Sequence, residues 1–344
     1  MTFEERAEAV EPFGFTPRQA RFLATVMLHS GVCVQRQYAQ FAGIANGQIT
    51  RDFFAKLVRE RIATAYPCWR GVARIYHIHH KGLYRAICEP DNRHRRRSAV
   101  GRATDRLMVL DAVLSTPQTT WLGGEHEKVV HCVHGLGIDE ADLPQLAFDS
   151  AGEQTVRYFA DKLPIAVRGP ELALLFVAKD AEAKQFRQFL NTHRRLMERV
   201  NRGRVLLAIP RSLPTAQPSH AAAPTIVFGA PLRPTVVDEF QWFCRMRRTR
   251  EQRSALMLAA DRSRYAAAQR AFGSRRFFET YRDWLKRGDV AFTGLLSNRL
   301  HDLWRRGDWR LEILLLPHDY EHLSPSLAIA CKGVNGGVNA SGER

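Results

Sequence analysis

No C-x-x-C pair occurs among the six cysteines; Cys33, Cys68, Cys88, Cys132, Cys244 and Cys331 lie far apart. That spacing excludes zinc-finger and thioredoxin-like frameworks. With nothing resembling a secretory signal ahead of it, the chain reads as one with free thiols in a reducing cytoplasm. Apolar runs are short as well: 172–178, the longest, and 311–316, which Glu312 interrupts, fall far below the roughly 20 residues that span a bilayer. A soluble, cytoplasmic protein without a membrane partner is expected. The patterns G-x-x-x-x-G-K-[ST], G-x-G-x-x-G after a strand and G-x-S-x-G are all missing. Nucleotide hydrolysis, dinucleotide redox chemistry and α/β-hydrolase action therefore lack their phosphate cradles or nucleophile elbow, and no cofactor is expected.

What is present is positive charge. The 344 residues carry 51 Lys+Arg against 35 Asp+Glu, a formal net charge of +16, so the surface attracts polyanions. Residues 1–100 hold 16 basic and 8 acidic side chains, 101–230 hold 15 and 14, and 231–344 hold 20 and 13. Two basic ends flank a neutral middle. Arginine supplies 43 of the basic residues, and its planar fork suits phosphate and guanine. A GC-rich genome would produce the same excess, so the clustering carries the argument. A chain of this length suits two or three domains.

The stretch Phe15-Thr16-Pro17-Arg18-Gln19 combines a cap, a proline for the first helical position and a capping-box partner; it predicts a helix ending at Ser30-Gly31. A second helix is expected over 35–42, closed by Gly43, and a third over 46–61 with Asn46 as its cap. Two β-capable runs, 62–66 and 72–78, follow around a turn at 67–71. Three helices and then a hairpin is the order of a winged helix-turn-helix. On a helical wheel of the third helix, Ile49, Phe53, Phe54, Leu57 and Val58 fall on the inward half, and Gln48, Arg51, Asp52, Ala55 and Arg59 on the outward half. Any amphipathic helix has a polar outer face. The context here adds a charge of +11 over residues 12–97, from 15 basic and 4 acidic side chains.

That face suits the DNA major groove, with Gln48 and Arg51 as base readers and Asp52 beside them. Arg59, Arg36 on the preceding helix, Arg70 at the wing tip, Arg74 on the wing strand and Arg95, Arg96 and Arg97 of the basic connector are the expected phosphate contacts. The segments FTPRQARFLATVMLHSGVCVQRQYAQFAG, ITRDFFAKLVRERI and RIYHIHHKGLYRAI resemble the winged-helix start of replication-relaxation-like proteins of plasmids and integrative elements, and MarR-like regulators share the layout. The resemblance covers about a quarter of the chain. It implies DNA binding in a mobile-element setting and allows a restriction-endonuclease-like α/β core to follow.

The fold class expected is α+β. A winged helix-turn-helix at 12–92 leads through a linking helix at 98–116 into an α/β domain at 119–211, with β-like runs at 155–159, 172–178 and 205–209 and a long helix at 181–201. Residues 212–224 read as a linker, 225–331 as a mainly helical portion whose late β-like run 310–316 rejoins the sheet, and 332–344 as a disordered tail. A metal-dependent nuclease core would need Glu-x-Lys or Asp-x-Lys on its strand. Here Val177 stands where the acid belongs, two residues before Lys179, leaving Asp149, Asp161 or Glu171 to supply carboxylates. The core is therefore read as degenerate and without catalysis. The clusters His77-x-His79-His80 and His131-Cys132-x-His134 lack partners at finger-like spacing, so no metal is expected. The run 245–250 and the aromatics around 272–285 read as a second basic face or as packed helices. The resulting expectation is a duplex-DNA-binding regulator or replication and transfer accessory factor of a bacterial mobile element, a homodimer with a protein partner at its C-terminal portion. The alternatives are a metal-dependent nuclease and a winged-helix module that docks protein.

Overall fold

Thr2 and Glu5 close a capping box on α1 (Phe3–Glu8), and Thr16 with Gln19 do the same on α2 (Pro17–His29). The computed structural model describes residues 1–71, 73–96, 100–150, 153–159, 162–213, 216–252, 259–296, 298–320 and 322–323. They form two compact units, one of the described residues up to His220 together with those from Arg310 onward, the other of the described residues between Ala221 and Trp309. The expected tail, 332–344, lies outside the described residues.

In the first unit α2 is followed by β1 (Val32–Cys33), α3 (Gln35–Ala42) and α4 (Gln48–Arg59). Gly43 closes α3 in the left-handed region at φ 64, as the missing Cβ allows. The third helix starts two residues later than expected. Gly47, not Asn46, is its N-cap, with no side-chain cap bond. The strands β2 (Ala63–Pro67) and β3 (Arg74–Ile78) pair antiparallel from Ala63↔Ile78 to Pro67↔Arg74, and β1 adds to β3 at Val32↔His77, giving the order β1-β3-β2. Phe22, Tyr38, Phe53, Phe54 and Tyr76 interlock beneath this layer, with ring centroids 4.4 Å apart for Tyr38 and Phe53 and 4.3 Å for Phe54 and Tyr76. Tilted aromatic pairs of this kind add to the area they bury.

After the short α5 (Lys81–Ala86), α6 (Val100–Leu114) is more than a connector. Leu110 belongs to the aromatic core, whereas Leu107, Met108 and Ala112 pack with Ala173, Leu175 and Leu206 of the next sheet. Apolar residues on both flanks make it a wall of two cores. It leads to β4 (Thr120–Leu122), α7 (Glu125–Val130), the ribbon β5 (Gln145–Ser150) and β6 (Glu153–Tyr158), then β7 (Ile165–Arg168), β8 (Glu171–Val177), α8 (Lys184–Thr192), α9 (Arg194–Arg199) and β9 (Gly203–Pro210). The larger sheet runs β10-β9-β8-β7-β4, where β10 (Trp309–Leu316) is the late run rejoining as anticipated. β4, β7 and β8 form an antiparallel meander; β8 and β9 are parallel from Leu172↔Gly203 to Val177↔Ala208. Both central strands are almost wholly buried, which explains their unbroken apolar sequence.

Two expectations fail here. The helix foreseen at 181–201 is divided at His193, whose ψ of 9 ends α8 before α9 resumes. The linker foreseen at 212–224 is in part α10 (Ala216–Val227). Its alanines favour helix, and Pro218 falls in the first turn, where no N–H partner is required. The second unit comprises α11 (Pro234–Glu251), α12 (Ala259–Ala271), α13 (Arg275–Arg287), α14 (Thr293–Leu296) and α15 (Arg299–Arg306) around Phe240, Phe243, Phe272, Tyr281, Trp284 and Phe292. The aromatics of this region are thus mostly core, although Phe278 is exposed. The arginine run 245–250 is largely engaged: Arg247 donates to Glu251 and lies 4.4 Å from the Tyr281 ring, Arg250 stands over Tyr265, and Arg245 pairs with Asp289.

Candidate nucleic-acid interface

Because helix packing buries an arc only about 100° wide, α4 presents most of its circumference to solvent. Thr50, Phe53, Phe54 and Leu57 form the buried arc. Gln48, Arg51, Asp52, Ala55 and Arg59 are exposed, as the wheel implied. Ile49 and Val58 correct the wheel: they are 66% and 41% exposed, because they lie just beyond the two edges of that arc. Ile49 is therefore a surface residue next to the expected readers, and its apolar side chain had assigned it to the core. Gln48 Nε2 donates to Asp52 Oδ1 at 2.5 Å, which orients both groups before any partner arrives. Arg59 leans toward Glu60 at 3.6 Å. Arg51 makes no side-chain hydrogen bond or ion pair among the described residues.

The hairpin is less free than a projecting wing. Cys68 packs with Leu316, Tyr320 and Leu323, and the Arg70 amide donates to the His322 carbonyl at 3.0 Å. The turn is thereby fastened to the chain that follows β10. The Arg70 guanidinium lies 4.2 Å from the Trp69 ring, with both side chains exposed, and Arg74 is exposed on the neighbouring strand. In the connector, Arg95 is half-buried with its Nε unpartnered and Arg96 is exposed. Arg97 lies outside the described residues.

Arg36 departs from its expected place on the DNA-facing surface. Its two terminal nitrogens donate to both oxygens of Asp111 at 2.9 and 2.8 Å, and its guanidinium lies over the Tyr320 ring. Tyr320 Oη donates to the same carboxylate at 2.5 Å. Asp111 is fully buried on α6, so Arg36 acts as the counter-charge of a buried acid. Sequence reasoning missed this because the partner stands 75 residues away.

No family model matches the chain, and no curated protein or solved structure is similar to it. The site is therefore read from its own geometry.

The histidines and the nuclease-like strand can be placed in the same way. His77 is buried with Nε2 3.0 Å from the His94 carbonyl, His79 Nε2 is 2.9 Å from Thr64 Oγ1, and His80 Nδ1 accepts from the Leu83 amide to cap α5. Cys132 is buried in the π-helical turn His131–Gly135, and burial pushes its thiol up to about 11. Among the described residues no group of three His, Cys, Asp or Glu side chains could hold a metal ion. Lys179 does meet a carboxylate, at 2.7 Å, but it is Asp105 of α6. Glu171 sits at the other end of β8 against Arg310 at 2.6 Å and Arg204 at 3.7 Å. Asp161 and the Asp149 side chain lie outside the described residues.

Proposed function

We propose that the chain is a duplex-DNA-binding protein that reads the major groove with α4, as the recognition helix of a winged helix-turn-helix built from α2, α3, α4 and the β1-β3-β2 sheet. The observation that carries this reading is the uncovered start of α4. Gln48, Ile49, Arg51 and Asp52 stand exposed within its first two turns, where a recognition helix meets base edges. Arginine pairs bidentately with guanine, glutamine with adenine, a carboxylate accepts from cytosine, and an apolar side chain meets the thymine methyl. Arg59, Arg70, Arg74 and Arg96 surround that face as phosphate contacts. The setting we propose is a regulator or replication and transfer accessory factor of a bacterial mobile element, acting in the cytoplasm as a homodimer, with a protein partner at its C-terminal portion.

Site selection with purified variants tests the reading. Arg51→Ala is expected to cost about 1 to 3 kcal/mol on the preferred site and to relax base preference at one position. Ile49→Ala relaxes preference where a thymine is selected. Arg59→Ala instead weakens all sequences alike, as a lost phosphate contact does. Unchanged base preference in Gln48→Ala, Ile49→Ala and Arg51→Ala, with affinity intact, would withdraw α4 as the reading element.

We read the chain as a binding protein and not an enzyme, since Val177 occupies the acid position of the strand and, among the described residues, Lys179 pairs with a single carboxylate, Asp105. Duplex DNA incubated with the protein in Mg²⁺ or Mn²⁺ is expected to stay intact. Reproducible cleavage that disappears in Lys179→Ala would make it a nuclease.

A further inference from the structure

The first unit contains a cleft of ≈ 690 Å³ between the basic connector, α6 and the C-terminal end of β8. Arg96, Arg102, Arg106, Lys162 and Lys179 line it, and Asp105 is the one carboxylate among its lining residues. That carboxylate is already held by Lys179 at 2.7 Å. Among the described residues, the side chains of Arg96, Arg102, Arg106 and Lys162 make no hydrogen bond or ion pair. One donor, Arg106 Nη1, is moreover sunk below the surface without a partner, and the Nδ1 of the neutral His94 ring lies unpartnered there as well.

Like charges gathered in a partly buried site disfavour one another, and burial disfavours each of them again. Lys162 shows both effects: burial first, then the charges of Arg106, Arg93 and Arg102, push it down to about 8. Arg106 is lowered by burial and by Arg102. Among the described residues, four unpaired cations and one orphan donor in one concavity leave a field that an anion would satisfy. The other wall is apolar. Val109, Leu175, Val177, Phe176 and Phe189 face the cavity, with the two phenylalanine rings 5.1 Å apart.

We propose that this cleft binds a small ligand bearing at least two phosphate groups and a flat apolar moiety, of the nucleoside polyphosphate class. The phosphates meet Arg96, Arg102, Arg106 and Lys162, and the base lies on the Phe176 and Phe189 wall. The volume falls in the range of small-ligand pockets, which combine an apolar lining with a few convergent polar groups. The location, at the carboxyl end of β8 beside its parallel neighbour β9, is where open α/β sheets place ligands. A duplex is the poorer occupant. Its phosphates lie on the outside of a stiff cylinder and do not reach Arg106 Nη1 beneath the surface. The inference does not rest on the reading of α4, although Arg96 is shared with the phosphate contacts proposed there.

The test is calorimetric titration of the full chain at low salt with pyrophosphate, ADP and adenosine. ADP and pyrophosphate are expected to bind, ADP the tighter because it adds the apolar contact, and adenosine to give no measurable heat. Lys162→Met and Arg106→Met each weaken ADP about tenfold or more, since each removes a charge-assisted contact. Lys162→Met also removes a cation that folding partly buries uncompensated, so its melting temperature stays equal to or above that of the parent. Loss of binding in that variant is then not loss of fold. Absence of binding by both phosphorylated probes, or undiminished affinity in both variants, overturns the proposal. So does displacement of pyrophosphate by a short duplex in the Arg96→Ala variant, which would give the cleft to nucleic acid. ADP binding no tighter than pyrophosphate overturns the nucleoside assignment.

Discussion

Asp111→Ala is expected to destabilise the first unit by about 3 to 5 kcal/mol, the range for breaking a buried ion pair by removing one partner. The carboxylate is fully buried and accepts three hydrogen bonds, two from Arg36 and one from Tyr320. Those donors come from α3 and from the chain after β10, while Asp111 itself belongs to α6. One side chain thus joins three distant segments. Without it the Arg36 guanidinium is left without its counter-charge beside an unpaired Tyr320 hydroxyl. Arg36 keeps 24% of its side-chain surface in water, which places the expectation near the lower end of the range. Tyr320→Phe removes a single hydrogen bond and should cost about 1 kcal/mol. The check is the denaturation midpoint at unchanged slope. A loss below 1 kcal/mol in Asp111→Ala would mean that the three groups do not meet.

The sequence was most legible where the signals were local. The capping box of α2, the glycine that closes α3, the pairing of β2 with β3 and the apolar strands β8 and β9 all follow from residues within a few positions of one another. Legibility ended where tertiary contacts decide. The arc of α4 that is buried depends on how α2 and α3 approach it, so Ile49 and Val58 were assigned inward by hydrophobicity alone. Arg36 and Lys179 looked like available cations because Asp111 and Asp105 lie more than 70 residues from them in the chain. The fastening of the hairpin turn to His322 had no local signal. The cleft was hidden for the same reason: Arg96, Arg102 and Arg106 are near neighbours in the chain, but Lys162 and Lys179 reach them only through the meander.

DNA affinity is expected to fall steeply with salt. Residues 12–97 carry 15 basic and 4 acidic side chains, but their availability differs. Arg36 is committed to Asp111, Arg21 to Glu4, and the Lys56 ammonium to the Gly14 carbonyl. Arg51, Arg59, Arg70, Arg74 and Arg96 remain exposed around α4, the hairpin and the connector. Every phosphate neutralised releases condensed counterions, with a slope of about −0.9 per contact in log affinity against log salt. The four of these assigned to phosphates, Arg59, Arg70, Arg74 and Arg96, therefore imply a slope of about −3.6 and a loss of about 150-fold between 50 and 200 mM salt. Binding of a random duplex by the full chain, measured by anisotropy across a salt series, reads this directly. Arg74→Ala should make the slope shallower by roughly one and leave base preference unchanged, because a strand-borne arginine beside the hairpin meets backbone and not base edges. A flat salt response would instead fit a winged helix that docks protein, since the counterion release that duplex binding demands would be missing.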